Sequence, residues 1–253
     1  MNKFDKLVEV MAKLRDPKKG CPWDKKQTPE SIRSHMIEEV YEVCEAISLG
    51  DDELLKEELG DLLLHIVFQA QMAKEKESFD IEGVLGNIIK KLKRRHPHIF
   101  GDSQADTAAQ VEENWIKIKR DEKKHRKSLL SGLPKELPAL IKANRLQGKA
   151  ANVGFDWENT EDTYKKLKEE LREFEEELEN NDKERMADEM GDLLFAMVNV
   201  ARKLEIDPEF ALHKTISKFI KRFQYMEDNL QEELFSSDLE KLEHFWEKAK
   251  DEV

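Results

Sequence analysis

Residues 57–73, EELGDLLLHIVFQAQMA, set acids into an apolar helix and contain no Lys or Arg to pair them. At ~100° per residue Glu58 and Asp61 fall on one side of that helix, and Leu54, Phe68 and Met72 project from the same side. The acids are therefore expected to be partly buried. A buried carboxylate without a partner is costly, so it must be protonated, hydrogen-bonded or neutralised by a cation. Residues 186–201, MADEMGDLLFAMVNVA, repeat the arrangement with Glu189 and Asp192, again without a basic residue between them.

The repetition extends outward. Glu38, Glu39 and Glu42 return as Glu169, Glu170 and Glu173, and Glu58 and Asp61 as Glu189 and Asp192, at a constant offset of 131 residues. Trp115 and Trp246 obey the same offset, while Trp23 and Trp157 match with a small shift. Ser131-Gly132-Leu133-Pro134 and Pro138 break the pattern between the copies. The expected organisation is two tandem homologous helical bundles, residues 1–127 and 139–253, joined by a linker over 128–138.

Composition agrees with an all-α chain. Charged and hydrophobic residues each make up 39% of the 253 residues, with Gly 10 and Pro 7, a balance suited to long amphipathic helices rather than sheets. A formal net charge of -12 disfavours nonspecific nucleic-acid binding. Cys21 and Cys44 are the only cysteines, which points to a reducing compartment, the cytoplasm by default. The first twenty residues read as an amphipathic helix rather than a signal peptide, and the longest apolar runs fall far short of the ~20 residues of a membrane span.

Local signals place the helices. Periodicity runs from about residue 4 to 14 and stops at Asp16-Pro17; Gly20-Cys21-Pro22-Trp23-Asp24 reads as a loop. Thr28 before Pro29 is expected to cap a second helix, ending at Gly50-Asp51-Asp52. Residues 57–73 lie in the third helix. A fourth is expected from about 81 to 96, a polar loop over 101–109, and a helix over 111–126 with Trp115 on its apolar side.

Each copy thus carries E-E-x-x-E on one helix and E-x-x-D on the next. Residues three apart are neighbours on a helix surface, so Glu39/Glu42 can face Glu58/Asp61, and Glu170/Glu173 can face Glu189/Asp192, across an antiparallel hairpin. Four converging carboxylates repel one another unless a divalent cation lies between them. All-carboxylate ligation favours Mg²⁺, then Mn²⁺, over Zn²⁺. Acidic helix faces are usually solvated, and that bland reading is strong for residues 169–179 taken alone; it fails for the acids that lack basic neighbours. A di-iron site needs Glu-x-x-His. His35 and His65 lie near the first acid set, but Lys166 and Ala196 take those places in the second, so histidine is no part of the shared design.

Basic helices follow the acids: Lys91, Arg94 and Arg95 in the first copy, Lys218, Lys221 and Arg222 in the second. Carboxylates that hold Mg²⁺ and cations that hold polyphosphate oxygens suit a nucleotide di- or triphosphate. No Gly-x-x-x-x-Gly-Lys-Ser/Thr loop is present, so the bundle itself must bind the phosphates.

With RDPKKGCPWDKKQTPESI (15–32), MIEEVYEV (36–43), EELGDLL (57–63), RRHPHIFGD (94–102), ANVGFDW (151–157) and DEMGDLLFAMVN (188–199) in view, the chain resembles the tandem-domain MazG nucleoside triphosphate pyrophosphohydrolases of the all-α NTP pyrophosphatase superfamily. That resemblance implies Mg²⁺-dependent hydrolysis of NTP or dNTP to the monophosphate and pyrophosphate, in a homodimer of helical bundles. It implies metal ligation by Glu170, Glu173, Glu189 and Asp192, and by Glu39, Glu42, Glu58 and Asp61. Glu169/Glu170 and Glu38/Glu39 are the implied proton acceptors. Lys166, Lys218, Lys221, Arg222 and Trp246, with Arg94 and Arg95, are the implied nucleotide contacts. The rival readings are a helical interaction protein with structural metal sites, and a narrow hydrolase acting on dUTP or phosphoribosyl-ATP.

Overall fold

The computed structural model describes residues 2–122 and 128–252. Among them the regular structure is helical, with no strand, and the chain divides into two compact units, residues 1–122 and 123–253.

The first unit contains α1 (Lys3–Leu14), α2 (Pro22–Lys26), α3 (Arg33–Leu49), α4 (Asp52–Glu75), α5 (Ile81–Arg95), α6 (Pro97–Phe100) and α7 (Ala108–Asp121). Its centre is the hairpin of α3 and α4, with α1 and α5 packed on α4 and α7 on α5. The hairpin turn is dictated locally. Gly50 ends α3 at φ 68°, a left-handed conformation that suits glycine, and the Asp51 carboxylate accepts from the Glu53 and Leu54 N–H groups at 3.1 and 3.0 Å to start α4. The core joins Met11, Ile32, Val67, Phe68 and Met72. Phe68 and Met72 are buried, as the apolar side of residues 57–73 requires.

The second unit contains α8 (Ala139–Ala151), α9 (Thr160–Asn180), α10 (Lys183–Lys203), α11 (Pro208–Leu230), a 3₁₀ turn (Gln231–Phe235) and α12 (Leu239–Glu252). Here α9 and α10 form the hairpin; α8 packs on α10 and α11, and α12 on α11. The turn chemistry is the same in kind: Asn181 takes the left-handed position at φ 56°, and Asp182 accepts from the Glu184 and Arg185 N–H groups.

Three sequence expectations change, and a fourth falls outside the described residues. The helix expected to begin at Pro29 begins at Arg33, because Thr28 and Ser31 cap each other instead: the Thr28 N–H donates to Ser31 Oγ at 2.9 Å and the Ser31 N–H to Thr28 Oγ1 at 3.2 Å, which leaves residues 29–32 as turns. The helix expected to reach His96 stops at Arg95, since the residue before Pro97 is pushed out of the helical region, and Pro97 then opens the short α6. The loop over 101–109 is shorter than expected, because Thr107 starts α7 early by accepting from the Gln110 and Val111 N–H groups. The expected end of that helix, residues 123–126, lies outside the described residues.

Candidate active site

The two hairpins place their acids face to face. In the first unit, carboxylate oxygens of Glu39, Glu58 and Asp61 all lie within 4.8 Å of one another. In the second, Glu170, Glu173 and Glu189 do the same. The trios differ in membership because each hairpin leaves a different fourth acid at its edge. Glu42 stands beside the first trio, its carboxyl pushed above the usual range by burial and then by Glu39 and Glu58. Asp192 is exposed at the margin of the second and lines a cavity beside it.

Electrostatics record the crowding. Glu58 titrates above its ordinary value because burial disfavours its charge and because Asp61, Glu39 and Glu57 repel it. Glu189 is raised by burial, then by Glu173, Asp192 and Glu170. Mutual repulsion raises a carboxyl pKa when no cation screens it, so both clusters have the chemistry of a divalent-cation site. Oxygen-only donors spaced this closely fit a hard ion.

Neutralising groups inside the sites are few and differ between copies. His65 Nε2 lies 3.5 Å from Glu39 Oε1. At the corresponding place in the second unit stands Ala196, and Lys166 supplies the charge from the other helix, 2.8 Å from both Glu169 and Glu170. These two carboxylates hold the Lys166 ammonium above its ordinary pKa. Glu38 and Glu169 are exposed, while Glu170 is buried.

The basic helices diverge more sharply. Arg94 and Arg95 are engaged within their own unit: Arg94 Nε donates to Glu122 Oε1 at 2.8 Å and Arg95 Nη2 to Glu122 Oε2 at 2.6 Å. Glu122 is held down at about 2 by these arginines. Lys218 and Lys221 have no ion pair among the described residues. Arg222 lies over the Trp246 ring, its Cζ 5.9 Å from the centroid, and Trp246 packs on Phe219 at 5.1 Å. Arg95 stands 5.8 Å over Trp115 in the first unit, so the cation and indole pair is repeated. Trp246 thereby also fixes α12 on α11.

Sequence reasoning missed three things. The Glu122 clamp joins α5 to the residue just past α7, 28 and 27 positions away, and spacing does not reveal such pairs. The loop before each hairpin is anchored by an unforeseen ion pair, Arg15 to Glu75 in the first unit (2.7 Å) and Arg202 and Lys203 to Asp156 in the second. The third is Thr163 and Asn199, polar groups buried in the second unit. At the offset of 131 they replace Ile32 and Phe68, and that polar-for-apolar exchange was legible.

Among the described residues the chain is all-helical and twice gathers three carboxylates on an antiparallel hairpin, with cationic helices following, the arrangement of a helical-bundle enzyme that can hold a metal ion without a glycine-rich loop. The sequence matches the family described as the MazG nucleotide pyrophosphohydrolase domain over residues 27–100 and again over 158–234, more than half the chain, and the protein belongs to that family. It is similar to the Thermotoga maritima nucleoside triphosphate pyrophosphohydrolase/pyrophosphatase MazG, 47% identical over 98% of this chain and 95% of that one. The Escherichia coli K12 nucleoside triphosphate pyrophosphohydrolase is 43% identical over 99% of this chain and 98% of its own. An uncharacterized Bacillus subtilis protein, YabN, is 44% identical over 99% of this chain and 52% of its own.

Proposed function

We propose that the protein hydrolyses nucleoside triphosphates and their deoxy forms to the monophosphate and pyrophosphate, at the acid clusters of its hairpins and with Mg²⁺. The observation that carries this reading is the pair of carboxylate trios, Glu39/Glu58/Asp61 and Glu170/Glu173/Glu189, with Glu58 and Glu189 titrating above their ordinary range. Family membership supports the reaction, and the printed names of the relatives support the substrate class.

The trios, with Glu42 and Asp192 beside them, would hold the cation, Mn²⁺ being the second choice. When bound, Mg²⁺ supplies a Lewis acid that polarises a phosphoryl oxygen and lowers the pKa of water. The chain's own groups do the rest. Glu39 or Glu170, each assisted by its neighbour Glu38 or Glu169, accepts the proton of the water that attacks the α-phosphorus. Lys218, Lys221 and Arg222 neutralise the departing pyrophosphate, with Lys166 beside Glu170. In the first unit Arg94 and Arg95 are already paired with Glu122, which favours the second unit as the seat of turnover.

The site acids divide between residues 1–127 and 139–253, with 128–138 as the linker. Apolar side chains exposed on the hairpin of the second unit and on α11, among them Leu194, Met197, Ile216 and Phe219, support a homodimer. Two free cysteines support the cytoplasm. No helix among the described residues is long and apolar enough to cross a membrane.

The test is pyrophosphate release from a panel of triphosphates by the wild type and by Glu170→Gln/Glu173→Gln and Glu39→Gln/Glu42→Gln. Loss of turnover by ~10²-fold or more in the first double variant is expected. Undiminished turnover in both would sink the assignment.

A further inference from the structure

One buried side chain beside the first acid trio has no part in the proposed reaction. Along α4, Glu58, Asp61 and His65 follow at intervals of three and four residues, so all three fall on one face of the helix. That face meets α3, where Glu39 stands. His65 is 9% exposed, and its Nε2 lies 3.5 Å from Glu39 Oε1. The imidazole therefore presents one edge to the same carboxylates that converge within 4.8 Å of one another.

The ring is poorly satisfied where it sits. Its Nδ1 is buried with no partner among the described residues, and buried polar groups are normally paired. On the other edge, 3.5 Å exceeds the ~2.7–3.2 Å of an N–H···O hydrogen bond. A lone pair on Nε2 would instead face a carboxylate oxygen, two electron-rich atoms that a cation between them reconciles. Bonds of ~2.1 Å from one ion to a nitrogen and an oxygen put the two donors roughly 3.0–3.4 Å apart, for right-angled to tetrahedral geometry. The observed separation is close to such a ligand edge.

The second hairpin lacks this nitrogen. At the offset of 131, Ala196 replaces His65 and Lys166 replaces His35. The second trio thus has oxygen donors and a built-in ammonium, 2.8 Å from Glu170, whereas the first has oxygen donors and an imidazole. His35 stands across the first hairpin with its ring centroid 6.4 Å from that of His65, and it is exposed. Imidazole nitrogen favours first-row transition ions, while Mg²⁺ prefers oxygen and gives up its water reluctantly.

We infer that the first hairpin is a mixed nitrogen and oxygen site, made by Glu39, Glu58, Asp61 and His65, that takes a divalent first-row transition ion such as Mn²⁺, Fe²⁺ or Co²⁺ in preference to Mg²⁺. The second hairpin, without the histidine, keeps the oxygen-only chemistry of Mg²⁺. The inference rests on the proposed reading of the trios as cation sites and goes beyond it by giving the two units different ions. Ligands from α3 and α4 together tie the two helices through the ion, with no nucleotide required.

The test uses the full, untagged chain without nucleotide. Pulsed EPR of bound Mn²⁺ is expected to show coupling to an imidazole nitrogen in the wild type, in His35→Ala and in Glu170→Gln/Glu173→Gln, which weakens the second trio alone. The coupling is expected to vanish in His65→Ala, which carries the second unit's residue. By calorimetry, Co²⁺ is expected to bind the wild type at least about tenfold more tightly than Mg²⁺, and His65→Ala to lose at least about tenfold in Co²⁺ affinity while Mg²⁺ affinity stays within about twofold. His65→Gln serves if the alanine variant does not fold. Nitrogen coupling that survives the loss of His65, or unchanged Co²⁺ affinity in a folded variant, overturns the inference even where Mg²⁺ binds and triphosphates are hydrolysed. Mn²⁺ coupled to His65 in a protein that releases no pyrophosphate sinks the proposed reaction and leaves this site supported.

Discussion

Replacing Glu122 by Gln tests the charge arrangement of the first unit most directly. The side chain keeps its shape and loses its charge, while Arg94 and Arg95 stay beside it at 2.7 and 2.6 Å. The arginines lower the Glu122 pKa from 4.5 to about 2. At ~1.4 kcal/mol per pKa unit that is an upper bound of ~3.5 kcal/mol. Arg94 is 59% exposed, and solvent screens its share, so the realistic contribution is about 1–2 kcal/mol. The sign follows from the depressed pKa. This stability is fully present above the unfolded value of 4.5 and is lost as the pH falls through about 2.

Urea unfolding of the full chain, followed from pH 7 down to pH 3, reads this out. The wild type is expected to exceed Glu122→Gln by about 1–2 kcal/mol at pH 7 in the transition of the first unit, with the gap narrowing steadily below pH 4.5. A gap that does not change with pH, or no gap at pH 7, would refute the reasoning, because the charge on Glu122 is what the variant lacks and what acid removes. The same substitution releases two guanidinium groups, so inorganic pyrophosphate is expected to bind more tightly to the variant.

Three further outcomes are expected. Glu189→Gln removes a carboxylate from a repelling cluster, so in calorimetric scans the metal-free protein melts higher and the Mg²⁺-induced rise in melting temperature shrinks; a lower metal-free melting temperature counts against a cation site. Phe68→Asn, which copies the second unit's residue into the packed core of the first, is expected to cost about 3–5 kcal/mol in urea titrations; a loss under 1 kcal/mol would show that the core is not packed as described. Leu194→Asp/Met197→Asp, on the exposed face of α10, is expected to reduce the sedimentation coefficient to that of a single chain, and an unchanged value would remove the argument for a homodimer through this face.

The hairpins were legible because their determinants are local. Asp51 and Asp182 cap helices directly after a left-handed residue, and the acids lie three residues apart on either side, so spacing alone brings them together. Which three of four acids converge was not legible. Asp61 joins the first trio while Asp192 stays out of the second, and Glu173 joins the second while Glu42 stands at the edge of the first. Identical spacing puts four acids on each hairpin and does not encode which three of them meet. Helix ends were legible where one cap acts alone and misplaced where two hydroxyls compete, as at Thr28 and Ser31.

The repeat itself carries an argument that neither copy carries alone. Had both hairpins been kept for one chemistry, the residues flanking the acids would be held as closely as the acids. Instead the acids repeat at a fixed offset while the groups around them part: His65 against Ala196, Ile32 against Thr163, Phe68 against Asn199. In the first unit Ile32 and Phe68 fill space with apolar atoms, and Glu122 occupies the arginines. In the second Thr163, Ala196 and Asn199 line a cavity with the amide oxygen of Gln147 unpaired, and Lys218 and Lys221 keep their charge unpaired among the described residues. Carboxylates without a cavity can still gather a cation and stiffen a bundle. Carboxylates that open into a cavity have room beside them for more than a cation, which agrees with the proposal that turnover lies in the second unit.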